Sequence, residues 1–175
     1  MSIRRCLAVV TALIWASAAI AQDFKAQVRQ IAAEAETAYV EGTSLELSFR
    51  HKTDEVLKAE AAFMDMPVEA YKALAQQGFD AVAAGYRPVQ RTTFFENARF
   101  GTAGQIPWAL VPSRTQLRDT VNDKDLVSCD IRLYFRQADR IYFHPVGQAR
   151  DQKILIGAHP TLVLAFEDGL PDCPS

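Results

Sequence analysis

The sequence predicts an α+β domain in which N-terminal helices pack on an antiparallel sheet of about four strands. Apolar residues recur at helical spacing up to about Gly85, whereas β-branched and aromatic residues dominate from Pro88 onward. The connections between the expected strands are short, which favours antiparallel neighbours. Helices followed by such strands are typical of folds in which the helices cover one face of a sheet.

Composition and charge suit one globular domain. The 175 residues are 49% hydrophobic and 23% charged, with a net charge of −2 and no repeated or biased segment. A chain of this size buries a sizeable core, but two domains would be cramped. Proteins that bind nucleic acids generally carry an excess of basic residues, whereas this chain is close to neutral. We therefore expect no nucleic-acid partner.

The first 21 residues have the layout of a signal peptide. Arg4 and Arg5 precede an apolar segment, residues 7–16, and small residues stand before Gln22, where we expect cleavage. The apolar segment is shorter than the roughly 20 residues of a membrane span. We therefore expect a single periplasmic or secreted domain, residues 22–175, without a membrane span after cleavage.

Export changes the meaning of the three cysteines. Cys6 leaves with the signal peptide, so Cys129 and Cys173 remain in an oxidising compartment. We expect them to form one disulfide that ties the proline-rich C-terminal tail to the domain, with a stabilisation of up to about 4 kcal/mol. Cleavage also removes two arginines and no acid, so the net charge becomes −4.

The first helical segment begins near Asp23, a candidate cap, and ends at Gly42. Residues 43–50 fit both a strand and a short helix, because their apolar residues satisfy both periods. Thr43 and Glu46 have the spacing of a capping box, which favours the short helix.

The next two helices have stronger start signals. Thr53 is a candidate N-cap for a helix that continues through Phe63. Pro67 is suited to the start of a further helix, which we expect to end at Gly85.

Strands are expected at residues 89–100, 106–118, 127–136 and 140–146. The third strand alternates between an apolar and a polar set, Cys129, Ile131, Leu133 and Phe135 against Asp130, Arg132, Tyr134 and Arg136. Because alternate side chains lie on opposite faces, we expect the apolar set to face the helices and the polar set to point outward. Residues 151–158 are left open between strand and helix.

This order of elements resembles the nuclear transport factor 2-like superfamily, in which helices and a strongly curved sheet form a cone around a pocket. The resemblance covers residues 24–158. It rests on ALVPSRT at 109–115, IRLYF at 131–135 and IYF at 141–143, which are similar to strands of small exported bacterial members of unknown function. That superfamily includes isomerases, dehydratases, carriers and dimerising scaffolds, so the resemblance implies a fold and a pocket rather than one function.

A pocket inside the cone is the candidate ligand site. The large residues expected between helices and sheet, where they would line or fill it, are Tyr39, Phe63, Tyr71, Phe79 and Trp108. On the strand phasing above, no carboxylate faces this space. We therefore expect a non-catalytic envelope domain that binds a small apolar molecule or a protein partner and needs no cofactor.

Two alternatives stay open. A pocket enzyme of lyase or isomerase type would use His51 with Tyr39 or Tyr71 as its catalytic residues. An envelope interaction protein or inhibitor would instead use the outer sheet face, which could also carry a homodimer. The outer-face residues expected at such an interface are Arg132, Tyr134, Tyr142 and His144.

The remaining charged and metal-ligating residues predict no further site. The three histidines are far apart in the sequence, and no metal-binding motif occurs. The aspartates around the expected turn between the second and third strands, Asp119, Asp123, Asp125 and Asp130, fit a solvated hairpin better than a cation site. The arginines of the strand half could form a positive strip for an anionic partner, but cross-strand ion pairs are favoured. They are Arg87, Arg91, Arg99, Arg114, Arg118, Arg132 and Arg136.

Overall fold

A computed structural model describes the backbone of residues 3–174 and the side chains of residues 22–174. The helices are α1 (Ile3–Glu41), α2 (Ser44–Arg50), α3 (Asp54–Phe63), α4 (Val68–Gly85) and α5 (Ala149–Ala158). The strands are β1 (Tyr86–Thr93), β2 (Arg99–Ala103), β3 (Ile106–Asp119), β4 (Lys124–Gln137) and β5 (Arg140–Pro145). Short 3₁₀ helices occupy Phe95–Asn97 and Pro160–Phe166.

The predicted signal peptide lies outside the residues whose side chains are described, so its cleavage stays a prediction. Within the described part of the chain, no helix is both long and apolar enough to cross a membrane.

The predicted α+β class is confirmed, with a curved antiparallel sheet in the order β1-β3-β4-β5 and with β2 also on β3. Residues 89–100 were expected to form one continuous strand, which is wrong. They are divided between β1 and β2, which pair with different halves of β3. The break lies beside Pro112, whose carbonyl accepts from the Phe94 amide at 3.0 Å. Because proline has no backbone N–H, Pro112 cannot donate a hydrogen bond to the neighbouring strand, and the ladder is interrupted on this edge.

The helix starts agree in part with those predicted from the sequence. The Thr53 hydroxyl accepts from the Val56 amide at 3.2 Å and caps α3 as predicted. Pro67 immediately precedes α4, and residues 43–50 form the helix that was favoured. The Thr43 side chain makes no cap hydrogen bond, and Asp23 is not a cap because α1 runs through it. Residues 151–158, left open above, are helical and belong to α5.

Away from the β3–β4 turn both faces of the sheet are covered, and this overturns the predicted outward polar face. The α1 face carries Ala109, Val111, Tyr134 and Phe143, which pack on the apolar side of α1. The α5 face carries Leu110, Ile131, Leu133 and Phe135, which pack on α3, α5 and the second 3₁₀ helix. The apolar set of β4 does face helices, but its polar set lies inside as well, against α1.

The β4–β5 turn corrects the predicted interface. Its two-residue turn sets Gln137 opposite Arg140, so Tyr134 lies opposite Phe143 and Leu133 opposite His144. His144 and Tyr142 therefore lie on the α5 face, whereas Tyr134 and Arg132 lie on the α1 face. Tyr134 is 2% exposed and His144 1% exposed, so neither belongs to an exposed homodimer surface.

The C-terminal tail is attached to β4 by a disulfide between Cys129 and Cys173, with Cα atoms 6.1 Å apart. The Cys173 sulfur also lies 3.6 Å from the Ser113 carbonyl oxygen on β3. The predicted pairing is therefore present, and it fixes the tail against the two central strands.

Candidate functional site

A cavity of about 420 Å³ lies between α1, α4 and the α1 face of the sheet. Its walls are largely apolar and include Phe79 and Val82 from α4 and Leu117 from β3. Its polar lining includes three arginines of the sheet, Arg87 and Arg91 of β1 and Arg132 of β4, together with Ser44 and Thr120. The arrangement is a concave apolar site with a few convergent polar groups, as in many small-molecule sites.

Helix ends and helical spacing position the walls. Gly42, with φ of 76°, ends α1 in a left-handed conformation beside the cavity. Tyr39, one turn earlier, donates its hydroxyl hydrogen to the Gln116 carbonyl oxygen at 3.2 Å. Phe79, Val82 and Ala83 recur at helical spacing and so share one side of α4. Because α4 has no buried residues, this wall is also close to solvent.

Two arginines share one carboxylate on the cavity floor. Nη2 of Arg91 donates to Oδ2 of Asp130 at 2.8 Å and also to the Ser113 hydroxyl oxygen. Nε of Arg132 donates to the same Oδ2 at 3.1 Å. The Arg91 side chain is 4% exposed and that of Arg132 15% exposed. We call Arg91, Arg132 and Asp130 the arginine floor.

The protonation states of this floor follow from its geometry. Burial opposes ionisation of Asp130, but the Arg132 and Arg91 guanidiniums outweigh it and hold the pKa of this carboxyl below its usual range. Burial, with repulsion from Arg132, lowers the pKa of Arg91. Asp130 is thus a bound anion rather than a free base, and the three groups together carry one net positive charge.

The structure brings together two of the five predicted ligand-binding residues. Tyr39 and Phe79 line the cavity. Phe63 is 57% exposed at the end of α3, and Tyr71 packs edge-on against Phe49. Trp108 lies in a different groove, because it pairs with Phe135 and therefore belongs to the α5 face. None of these three side chains lines the cavity that Tyr39 and Phe79 share.

The catalytic alternative is not assembled in this cavity. Nδ1 of His51 lies 3.0 Å from the Ile141 carbonyl oxygen, and its ring stacks on Phe143. Of the residues proposed for that chemistry, Tyr39 lines the cavity, but His51 and Tyr71 do not. Burial raises the pKa of Tyr39, which keeps its phenol neutral.

Of the remaining arginines, Arg118 forms the favoured cross-strand ion pair, and Arg136 pairs with an acid of α1 instead. Arg118 lies 2.8 Å from Asp125 and 3.0 Å from Asp123, and Arg136 lies 2.8 Å from Asp23. Arg99 donates instead to the carbonyl oxygens of Asp168 and Gly169.

The predicted hairpin turn between β3 and β4 is also present. Asp119 accepts from the amides of Val121 and Asn122 and so closes the β3–β4 turn. In the described part of the chain, no group of side chains has the arrangement of a metal site.

A buried charged cluster lies apart from the cavity and was not found from the sequence. Nζ of Lys52 donates to Oε2 of Glu60 at 2.7 Å, and both side chains are buried. Nδ1 of His144 lies 3.8 Å from Oε1 of Glu60. Burial, with the positive charge of Lys52, lowers the pKa of His144 to about 3. No spacing rule connects residues this distant in sequence, so no sequence signal indicated the cluster.

The exposed part of the α5 face, near the β3–β4 turn, is polar. A shallow groove there is lined by Gln90, Thr92, Arg114, Gln116 and Val127. The outer-face alternative therefore has a polar surface rather than the aromatic one that Tyr134 and Tyr142 were expected to provide.

The arginine floor was also missed as part of the pocket. Its arginines were noted in the sequence, but Arg132 was assigned to an outer face that the structure shows to be inside. Compared with known proteins, the chain matches no family model, no curated protein and no solved structure.

Proposed function

We propose that this chain is an exported, non-catalytic domain of nuclear transport factor 2-like type that binds a small molecule with an apolar body. The observation that carries the proposal is the cavity of about 420 Å³ with its largely apolar walls. Ligand pockets of proteins range from about 300 to 1,000 Å³, so the space suits a small molecule.

The chemistry of the lining supports binding rather than catalysis. General acid–base catalysis needs a group that exchanges a proton near the working pH. Asp130 is held ionised by two arginines, and the Tyr39 phenol is held neutral by burial. His51 is engaged with the Ile141 carbonyl and does not line the cavity.

Two features support export. The basic pair and apolar segment of residues 1–21 have the layout of a signal peptide. The Cys129–Cys173 pairing is of the kind that persists in oxidising compartments. The superfamily assignment rests on the order of elements and on helices that meet a curved sheet around a cavity.

The test is binding of N-phenyl-1-naphthylamine, a neutral apolar probe whose fluorescence increases in apolar sites. We expect the purified protein to bind it, and we expect Ala83→Trp, which fills the cavity from α4, to weaken binding by about tenfold or more. Ala84→Trp is the matched control, because Ala84 is the next residue of α4 and does not line the cavity. Absence of probe binding, or equal affinities in both variants, would contradict the proposal.

A further inference from the structure

We infer that the ligand carries a carboxylate on its apolar body, and that Arg91 and Arg132 bind this group at the arginine floor of the cavity. The inference rests on the proposed function, since it assigns the chemistry of the ligand for the same cavity. It predicts an amphipathic monoanion with its charged end inside and its apolar part between α1 and α4.

The first support is unbalanced charge. Among the described residues, Arg91 and Arg132 share one acid within ion-pair distance, Asp130. Both arginines contact the same oxygen of it, Oδ2. The nearby Tyr134 contributes no negative charge, because burial raises the pKa of its phenol. A positive charge at a site screened from water is costly unless it is paired, so an incoming anion is favoured there.

The second support is the set of donors that the protein leaves free. Hydrogen bonds to the described residues use Nη2 of Arg91 and Nε of Arg132. Apart from the neighbouring Tyr134 hydroxyl, the Arg132 guanidinium has no other acceptor among those residues. The Nη1–Nη2 edge of a guanidinium matches the two oxygens of a carboxylate. The Arg132 guanidinium also lies 4.8 Å from the centre of the Phe143 ring, which orients its plane.

The third support is that the α4 side of the cavity is apolar, whereas the arginines of its lining all come from the sheet. Arg91 and Arg132 belong to the sheet, whereas Phe79, Val82 and Ala83 line the cavity from α4. A neutral apolar ligand would bury the arginine floor without replacing its lost water, whereas a carboxylate satisfies it. The cavity therefore discriminates between ligands of equal apolar size by their charge.

The experiment compares decanoate with decan-1-ol, which share a chain length and differ in charge, as competitors of N-phenyl-1-naphthylamine at neutral pH. We expect decanoate to displace the probe at a concentration about tenfold or more below that of decan-1-ol. In Arg132→Met this preference should nearly vanish. In Arg136→Met it should persist, because Arg136 lies four residues further along the same face of β4 but pairs with Asp23 outside the cavity.

Each outcome separates the inference from the proposed function. Probe binding with equal displacement by both competitors overturns the carboxylate inference and leaves the cavity function standing. Absence of probe binding overturns both. Arg132→Gln is the second variant in case Arg132→Met fails to fold, as judged by its thermal melt, and it should lose the preference in the same way. The wild-type comparison depends on neither variant.

Discussion

His144 is a residue whose protonation the fold opposes. It is buried on the α5 face, near the Lys52–Glu60 ion pair, and its pKa is lowered to about 3. Desolvation and the positive charges of Lys52 and Arg150 disfavour the imidazolium, while Asp130 and the backbone of Asp151 favour it. The net effect is a histidine that stays neutral well below the pH at which histidines normally become charged.

This histidine predicts a pH-dependent stability. Its folded pKa lies below the unfolded value of about 6.5, so the unfolded chain binds more protons as the pH falls. The contribution of His144 to the free energy of unfolding is fully present above about pH 6.5. Below that pH it decreases by up to roughly 1.4 kcal/mol per pH unit until the folded pKa is reached. Urea unfolding near pH 7 and near pH 5 should show this loss in the wild type and a smaller loss in His144→Leu.

His51→Gln is the control for that measurement, because its ring contacts Phe143 and the Ile141 carbonyl rather than the buried ion pair. It should keep the wild-type difference between the two pH values. An unchanged difference in His144→Leu would show that other groups carry the pH dependence.

At the scale of elements, the sheet and the C-terminal tail are joined through β4. Cys129 lies near the middle of β4, and Cys173 is 44 residues further along the chain. The 3₁₀ helix Pro160–Phe166, which precedes the tail, packs on the α5 face through Leu162 and Ala165. Loss of the disulfide would therefore release a tail that follows a packed segment.

The prediction for this element is a lower free energy of unfolding in Cys129→Ser/Cys173→Ser. Closing a loop of this length restricts the unfolded chain by about 4 kcal/mol in the entropy account, and measured effects run about 2–4 kcal/mol. Urea denaturation with and without reductant measures the effect. Reductant should destabilise the wild type by a similar amount and leave the double variant unchanged, and equal stability of the two oxidised proteins would contradict the prediction.

At the scale of the whole molecule, the sheet is the middle layer between α1 on one side and α3, α5 and the second 3₁₀ helix on the other. Phe24 and Val28 begin the buried side of α1 and pack on the α1 face of the sheet. Both residues lie shortly after the expected cleavage point before Gln22. The buried side of α1, as far as its side chains are described, is thus retained in the chain that export would leave.

Truncation tests this architecture. A chain that begins at Gln22 should unfold cooperatively by thermal circular dichroism, because Phe24 and the rest of the buried side remain. A chain that begins at Arg29 loses Phe24 and Val28. Each large buried apolar side chain contributes about 1.5–3 kcal/mol, which is a large share of a typical domain stability of about 5–15 kcal/mol. A marked drop in melting temperature is expected, and equal melting of the two chains would contradict it.

Local signals predicted most of the elements. The cap at Thr53, the helix start after Pro67 and the turns between β3, β4 and β5 were correctly placed, because caps and turns are satisfied by neighbours in the chain. The break between β1 and β2 was not, since it depends on Pro112 of a partner strand. Two of the five residues expected to line a pocket, Tyr39 and Phe79, do line the cavity, whereas the arginine floor was missed.

The sequence by itself determined the helix-then-strand order, the alternation of β4 and the pairing of Cys129 with Cys173. Tertiary structure alone decided that, away from the β3–β4 turn, both faces of the sheet are inside. A period of two distinguishes the faces of a strand, but it does not say what packs on each. Arg132 and Tyr134 look like surface residues by composition, yet α1 covers them, and the same packing with α4 places two arginines beside an apolar cavity.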